Sequence, residues 1–183
     1  MTAIPSRVPG AASVWIAAVV AAAGCAGPQA EAPLRVRLGT PRAQARTELR
    51  AAQFCPQAAD GPAPRVETYP RCPRSGSEWS QAWVTARYDK DALVELRRYE
   101  RFTDDGRAME RWNELVTARR QHAPESAEAA AVLSPRGELQ PGTRTFKAFR
   151  VDADTVVGVF LLTPQPPEDA SILELVVRAP AAQ

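Results

Sequence analysis

Residues Ala11 to Ala23 form an almost wholly apolar run of thirteen residues, preceded by one arginine and no acid and followed by Gly24-Cys25. A spanning helix needs about 20 apolar residues, so this run is short for crossing a bilayer. It suits the apolar core of a secretory signal peptide, with small residues where cleavage falls. Residues 1–24 are therefore read as a signal, and the rest of the chain as destined for an oxidising compartment. What remains of the 183 residues is enough for one domain, or for two very small ones.

The tetrapeptide Ala22-Ala23-Gly24-Cys25 resembles a bacterial lipobox, in which the cysteine is lipidated and becomes the new N-terminus. The resemblance implies a lipid on Cys25 and attachment to a membrane through it. The alternative is an ordinary signal peptide cut after Ala23. A free cysteine directly behind a signal is unusual in a secreted protein, which favours lipidation. Ala26 is not aspartate, so the usual inner-membrane retention signal is absent, and the expected location is the outer membrane, facing the periplasm. Residues 25–37, rich in Pro, Ala and Arg, read as a linker holding the domain off the membrane.

The formal net charge is only +2, which leaves no electrostatic footprint for nucleic acid. Arginine supplies 21 of the 23 basic residues, and alongside so much Ala and Pro this reads as codon bias rather than a binding surface. Two further cysteines, Cys55 and Cys72, make an even pair, expected to form a disulfide in an oxidising envelope. The sixteen residues between them include five of the helix- and strand-breaking residues Pro and Gly, so the enclosed loop is expected to bury little by itself. Two cysteines and the distant His122 are too few for a four-ligand zinc site. Without a Cys-x-x-Cys motif, redox chemistry is not indicated either.

From Leu38 onward the pattern is that of an α+β domain, residues 38–180, with helices packed on one face of an antiparallel sheet. Thr40 and Pro41 suit a helix start, and the helix is expected to run to about Gln53 with Ala45, Leu49 and Ala52 or Phe54 inward. Trp79 to Tyr88 and Ala92 to Phe102 read as strands joined by the turn Asp89-Lys90-Asp91, with the alternation slipping near Arg97-Arg98. A second helix is capped by Thr103 or Asp104, buries Met109, Trp112, Leu115 and Val116, and ends at Pro124. Residues 125–142 read as a loop with a helical turn at 127–133. Strands follow at 143–151, 155–162 and 171–178. Phe146, Ala148, Val157, Val159, Leu161, Leu173, Leu175 and Val177 are expected on one buried sheet face.

The element order, helix-strand-strand then helix-strand-strand-strand, suggests tandem halves, 38–102 and 103–180. Two Asp-x-Asp turns 63 residues apart, and the pairs Arg42/Arg46 and Arg107/Arg111 65 residues apart, point the same way. Leu38-Gly39-Thr40-Pro41-Arg42-Ala43-Gln44-Ala45, running to Leu49, resembles the opening of the SmpA/OmlA-type outer-membrane lipoproteins. Two such units in tandem resemble the fold of β-lactamase inhibitory protein. These resemblances imply a non-enzymatic role in envelope assembly or protein binding.

Catalytic constellations are sparse. His122 reads as a general base or, more simply, as a favourable charge at a helix C-terminus. Asp89/Asp91 and Asp152/Asp154 lack the further acids and glycine of a calcium loop and read as turn residues. Glu110, Glu114, Arg107 and Arg111 read as exposed helical ion pairs. Glu95, Glu100 and Glu174 are the least explained acids, and a convergence of two of them in a cleft would suggest glycosidase chemistry. Trp79 and Trp83, beside the disulfide loop, are the candidate interface residues, with sheet packing as the alternative. The expectation is a lipid-anchored, non-catalytic binding or assembly module with no cofactor or metal and an envelope protein as partner. Its rivals are an inhibitor-like protein docking an envelope enzyme and a carboxylate hydrolase. A sheet face lined with Trp and Tyr would favour docking in the inhibitor-like manner.

Overall fold

The structure, a computed structural model, describes residue 34 and residues 36–57, 65–72, 82–134, 142–163 and 170–179. The signal segment, Cys25 and Trp79 lie outside the described residues. The fold is α+β. In chain order the elements are α1 (Arg42–Ala51), β1 (Val66–Pro70), β2 (Ala82–Asp89), β3 (Ala92–Phe102), α2 (Asp105–Arg120), α3 (Ala127–Leu133), β4 (Thr143–Arg150), β5 (Thr155–Leu162) and β6 (Ala170–Arg178). The strands form one antiparallel sheet in the order β1-β2-β3-β6-β5-β4. The third strand of each half lies at the centre of this order and the first strand of each half at an edge. Each half of the chain supplies a three-stranded meander, and the halves meet where β3 pairs with β6.

Strand β1 was not anticipated, because it lies inside the proline-rich loop closed by the disulfide. Cys55 and Cys72 are bonded, with their Cα atoms 4.8 Å apart. The bond joins two adjacent antiparallel stretches, since Cys55 N–H donates to the Pro70 carbonyl and Gln57 N–H to that of Thr68. Far from being empty of core, this loop buries Glu67 and Tyr69. The two Asp-x-Asp turns do not occupy equivalent places in the halves. The first joins β2 to β3, whereas the second joins β4 to β5. Their 63-residue spacing is therefore not the period of the architecture.

Register fixes the faces. Ala86, Leu96, Val176 and Val157 are linked by successive strand pairs and lie on one face, beneath Ala45 and Leu49 of α1. Ile172, Leu161, Val159 and Phe149 continue that face beneath Ala108, Trp112, Leu115 and Val116 of α2. The short α3 packs on the opposite face, where Ala129 and Leu133 meet Ala148, Phe160, Leu173, Leu175 and Val177. The eight apolar residues expected on one face are thus divided between two. Strands β5 and β6 are buried on both sides, so their residues carry no alternation from which parity could be read.

Helix ends follow local chemistry where side chains supply it. Asp104 Oδ1 accepts the Arg107 N–H at 2.7 Å, and Ser126 caps α3 by accepting from the Ala129 N–H. Thr40 does not cap α1. The first turn is tied instead by the Arg42 N–H donating to the Asp91 carbonyl of the β2–β3 turn. That turn holds Lys90 and Asp91 at φ 45° and 68°, a two-residue hairpin connection that matches the strand twist. Leu34 and Val36, assigned by composition to a linker, are buried with the α1 side of the core.

Candidate functional site

The β2–β3 hairpin presents two chemically different faces. Towards the helices it places Val84, Ala86 and Leu96, but also two charged residues, Arg98 and Glu100. Cross-strand from Arg98 is Glu174 of β6. All three are nearly inaccessible to solvent. Arg98 pairs with Glu100. Glu100 also accepts from Arg111 Nε at 2.9 Å, and Glu174 from Arg119 Nε at 2.7 Å, both arginines reaching down from α2. Arg119 further donates to the Leu34 carbonyl at 3.3 Å, which ties the incoming chain to the core. Arg111 is therefore chiefly a buried partner of Glu100, in addition to its pair with the exposed Glu114.

A second cluster anchors α1. Glu67 accepts from Arg42 at 2.9 Å and from Arg46, and Tyr69 O–H also donates to it. Tyr69 and Tyr88 hydroxyls meet at 3.0 Å, and the Arg42 guanidinium lies 4.4 Å from the Tyr88 ring centre. Burial alone would push the Glu67 carboxyl up, but the hydrogen bonds from Arg46 and Tyr69 outweigh it and hold it below the ordinary carboxylate range. Burial and the bond to Glu67 push the Tyr69 phenol far above its usual value.

The other face of the hairpin carries no described helix. Here Trp83, Thr85 and Arg87 of β2 stand opposite Tyr99, Arg97 and Glu95 of β3. The Trp83 and Tyr99 rings are stacked, with centroids 4.9 Å apart and planes 13° from parallel. The Arg101 guanidinium lies 5.3 Å from the Trp83 ring centre. Two cations share one carboxylate, since Arg97 Nε lies 2.7 Å and Arg87 Nη2 2.9 Å from Glu95 oxygens. Burial raises the Glu95 carboxyl, but the hydrogen bonds from Arg97 and Arg87 win and lower it. Val66, Thr68 and Pro70 of β1 extend the face and are exposed.

The three unexplained acids do not share a face. Glu95 stands on the open face, while Glu100 and Glu174 lie beneath α2. Burial raises Glu100, yet the bond from Arg111 and the charge of Arg98 hold it low. Glu95 and Glu100 are thus displaced in the direction opposite to that of a general acid. His122 is exposed in the turn after α2. Asp154 N–H donates to Asp152 Oδ1 at 2.9 Å, so this pair builds its own turn. Among the described residues, no three His, Cys, Asp or Glu side chains are grouped to hold a metal ion, and no helix is long and apolar enough to cross a membrane.

Trp83 is therefore the one sequence-predicted interface residue that the described structure places on a surface. Sequence reasoning missed Tyr99, Arg101, Arg97 and Arg87, its neighbours. The signal that usually finds such residues is alternation between apolar and polar positions. On β3 both parities carry charge, so the alternation is masked. Comparisons with protein-family models, with characterised proteins and with solved structures found no match.

Proposed function

We propose that this chain is a lipid-anchored bacterial envelope protein that acts as a non-catalytic binding module. Its docking surface is the open face of the β1–β2–β3 half of the sheet. The observation that carries this reading is the Trp83–Tyr99 stack with Arg101 beside it, on the half-face that no described helix covers. Trp, Tyr and Arg are the residue types that dominate binding hot spots. On the opposite half of the same face, α3 covers the equivalent apolar surface. The lipobox-like Ala22-Ala23-Gly24-Cys25 supports the anchor, and the resemblance to SmpA/OmlA-type lipoproteins supports the envelope setting. The Trp/Tyr lining favours docking onto a partner protein in the inhibitor-like manner over a purely polar assembly contact.

Two measurements test this. Intact-mass analysis of the protein from bacterial membranes should show the loss of residues 1–24 and a lipid on Cys25; a soluble chain with unmodified Cys25 would overturn the anchor. A photo-crosslinking residue at Thr85, on the open face, should give a discrete adduct in living cells. The same residue at Thr117, on the exposed side of α2, should give none. Equal adducts from both positions, or none from Thr85, would overturn the docking surface.

A further inference from the structure

We infer that the open half-face binds an extended acidic polypeptide segment in which two carboxylates flank an apolar side chain at every-second-residue spacing. The inference rests on the reading of this face as a docking surface. It adds the partner's chemistry.

The first argument is charge. On this half-face, the described side chains of β2 and β3 comprise three arginines, Arg87, Arg97 and Arg101, against two acids, Glu95 and, at the hairpin end, Asp89. Glu95 is already bonded to Arg87 and Arg97. Arg101 is exposed, lies over the Trp83 ring, and has no acidic partner among the described residues. The patch therefore keeps a local surplus of one positive charge, centred on Arg101, although the whole chain is close to neutral. Complementary charge raises association rates and selects partners, so a surplus of this sign favours an acidic ligand.

The second argument is spacing. Along a strand, side chains of one face recur about every 6.6–6.8 Å. Arg97, Tyr99 and Arg101 are three successive residues of β3 on this face, and they present cation, aromatic, cation in that order. Trp83 widens the middle position across the sheet. An extended chain lying along β3 repeats its own side chains at the same interval. A segment of the pattern acid-x-apolar-x-acid therefore sets its apolar side chain on the Trp83–Tyr99 stack and its carboxylates towards Arg97 and Arg101. A basic segment would place like charges against both.

The test uses the full-length protein in detergent micelles and three fluorescent peptides that share one scaffold. Their central five residues are Glu-Ser-Leu-Ser-Glu, Lys-Ser-Leu-Ser-Lys and Glu-Ser-Ser-Ser-Glu. Fluorescence anisotropy should rank the first at least tenfold above the other two, and raising salt from 50 to 500 mM should weaken it several-fold. Arg101→Glu should weaken the first peptide at least tenfold. Arg101 is exposed, so this variant should unfold at the same urea concentration as the parent, which separates lost binding from lost folding. Equal affinity for the lysine and glutamate peptides, or unchanged affinity in Arg101→Glu, would overturn the inference. If Thr85 cross-links in cells and the acidic peptide still fails to bind, the docking surface stands and this partner chemistry falls.

Discussion

Arg98 and Glu174 face each other across the β3–β6 pairing that joins the two halves of the sheet, and each is only 2% exposed. A charge placed so deep is tolerated only when it is paired and hydrogen-bonded. Around this pair, three arginines (Arg98, Arg111, Arg119) are set against two nearly inaccessible glutamates (Glu100, Glu174). The imbalance makes the partners unequal. Arg98→Met leaves Glu100 with Arg111 and Glu174 with Arg119. Glu174→Leu strands Arg119 and Arg98 near one remaining acid. Urea unfolding should give a loss of about 3–5 kcal/mol for Glu174→Leu and a clearly smaller one for Arg98→Met. A larger loss for Arg98→Met would mean that Arg98 is the keystone.

The disulfide should matter more to the edge than to the centre. It closes a loop that contains β1 and pins residues 54–57 beside that strand. The chain-entropy estimate for a loop of this size is about 3 kcal/mol. Reduction should lower the denaturant midpoint by a corresponding amount. Hydrogen exchange should speed up in 66–70 before it does in β5 and β6; uniform acceleration would contradict a local role.

Trp112 is 8% exposed, and its indole N–H donates to the Val159 carbonyl at 3.1 Å. Trp112→Ala should destabilise by about 3–5 kcal/mol. Trp112→Phe keeps most of the ring contact and should cost about 1–2 kcal/mol through the lost hydrogen bond. Similar losses for both variants would indicate that the hydrogen bond dominates the packing.

Gly158 should resist the substitution that usually helps a strand. It lies in β5 under α3, where an added Cβ would meet the Phe160 ring and sit 2.8 Å from Leu133 Cδ1. Gly158→Ala should therefore cost about 1–3 kcal/mol, as overpacking does. Leu133→Ala should cost less in the Gly158→Ala background than in the parent, because the two side chains compete for the same space. A neutral Gly158→Ala would show that α3 shifts freely.

Acid should weaken the fold through its carboxylates. Glu67 and Glu100 titrate below their ordinary value in the folded chain. Their stabilisation is fully present above the unfolded carboxylate pKa of about 4.3 and is lost as pH falls through the lower folded values. Stability should thus decline below about pH 5. Glu67→Gln should be less stable at neutral pH and show a shallower acid slope. An unchanged slope would mean that Glu67 is not among the groups driving acid unfolding.

Several features were legible in residue order alone because their causes are local. Asp104, one of two cap candidates with Thr103, caps its helix through a bond to its own next turn, and Trp112, Leu115 and Val116 share a helical stripe. The Cys55–Cys72 pairing followed from an even count in an oxidising setting. The α+β class followed from alternating element types. What the chain order did not reveal depends on contacts between distant segments. Strand β1 is short, sits among prolines, and gains its place by pairing with β2. The division of the apolar residues of β4, β5 and β6 between two faces was set by register with neighbours, because strands buried on both sides carry no alternation. Arg111 read as an exposed helical charge, Glu100 as an unexplained acid and Arg98 as a slip in alternation, since nothing in residue order tells that distant segments bring opposite charges together under a helix. The open face was hidden for the same reason. Trp83 and Tyr99 are sixteen positions apart in the chain, and only the antiparallel hairpin stacks them.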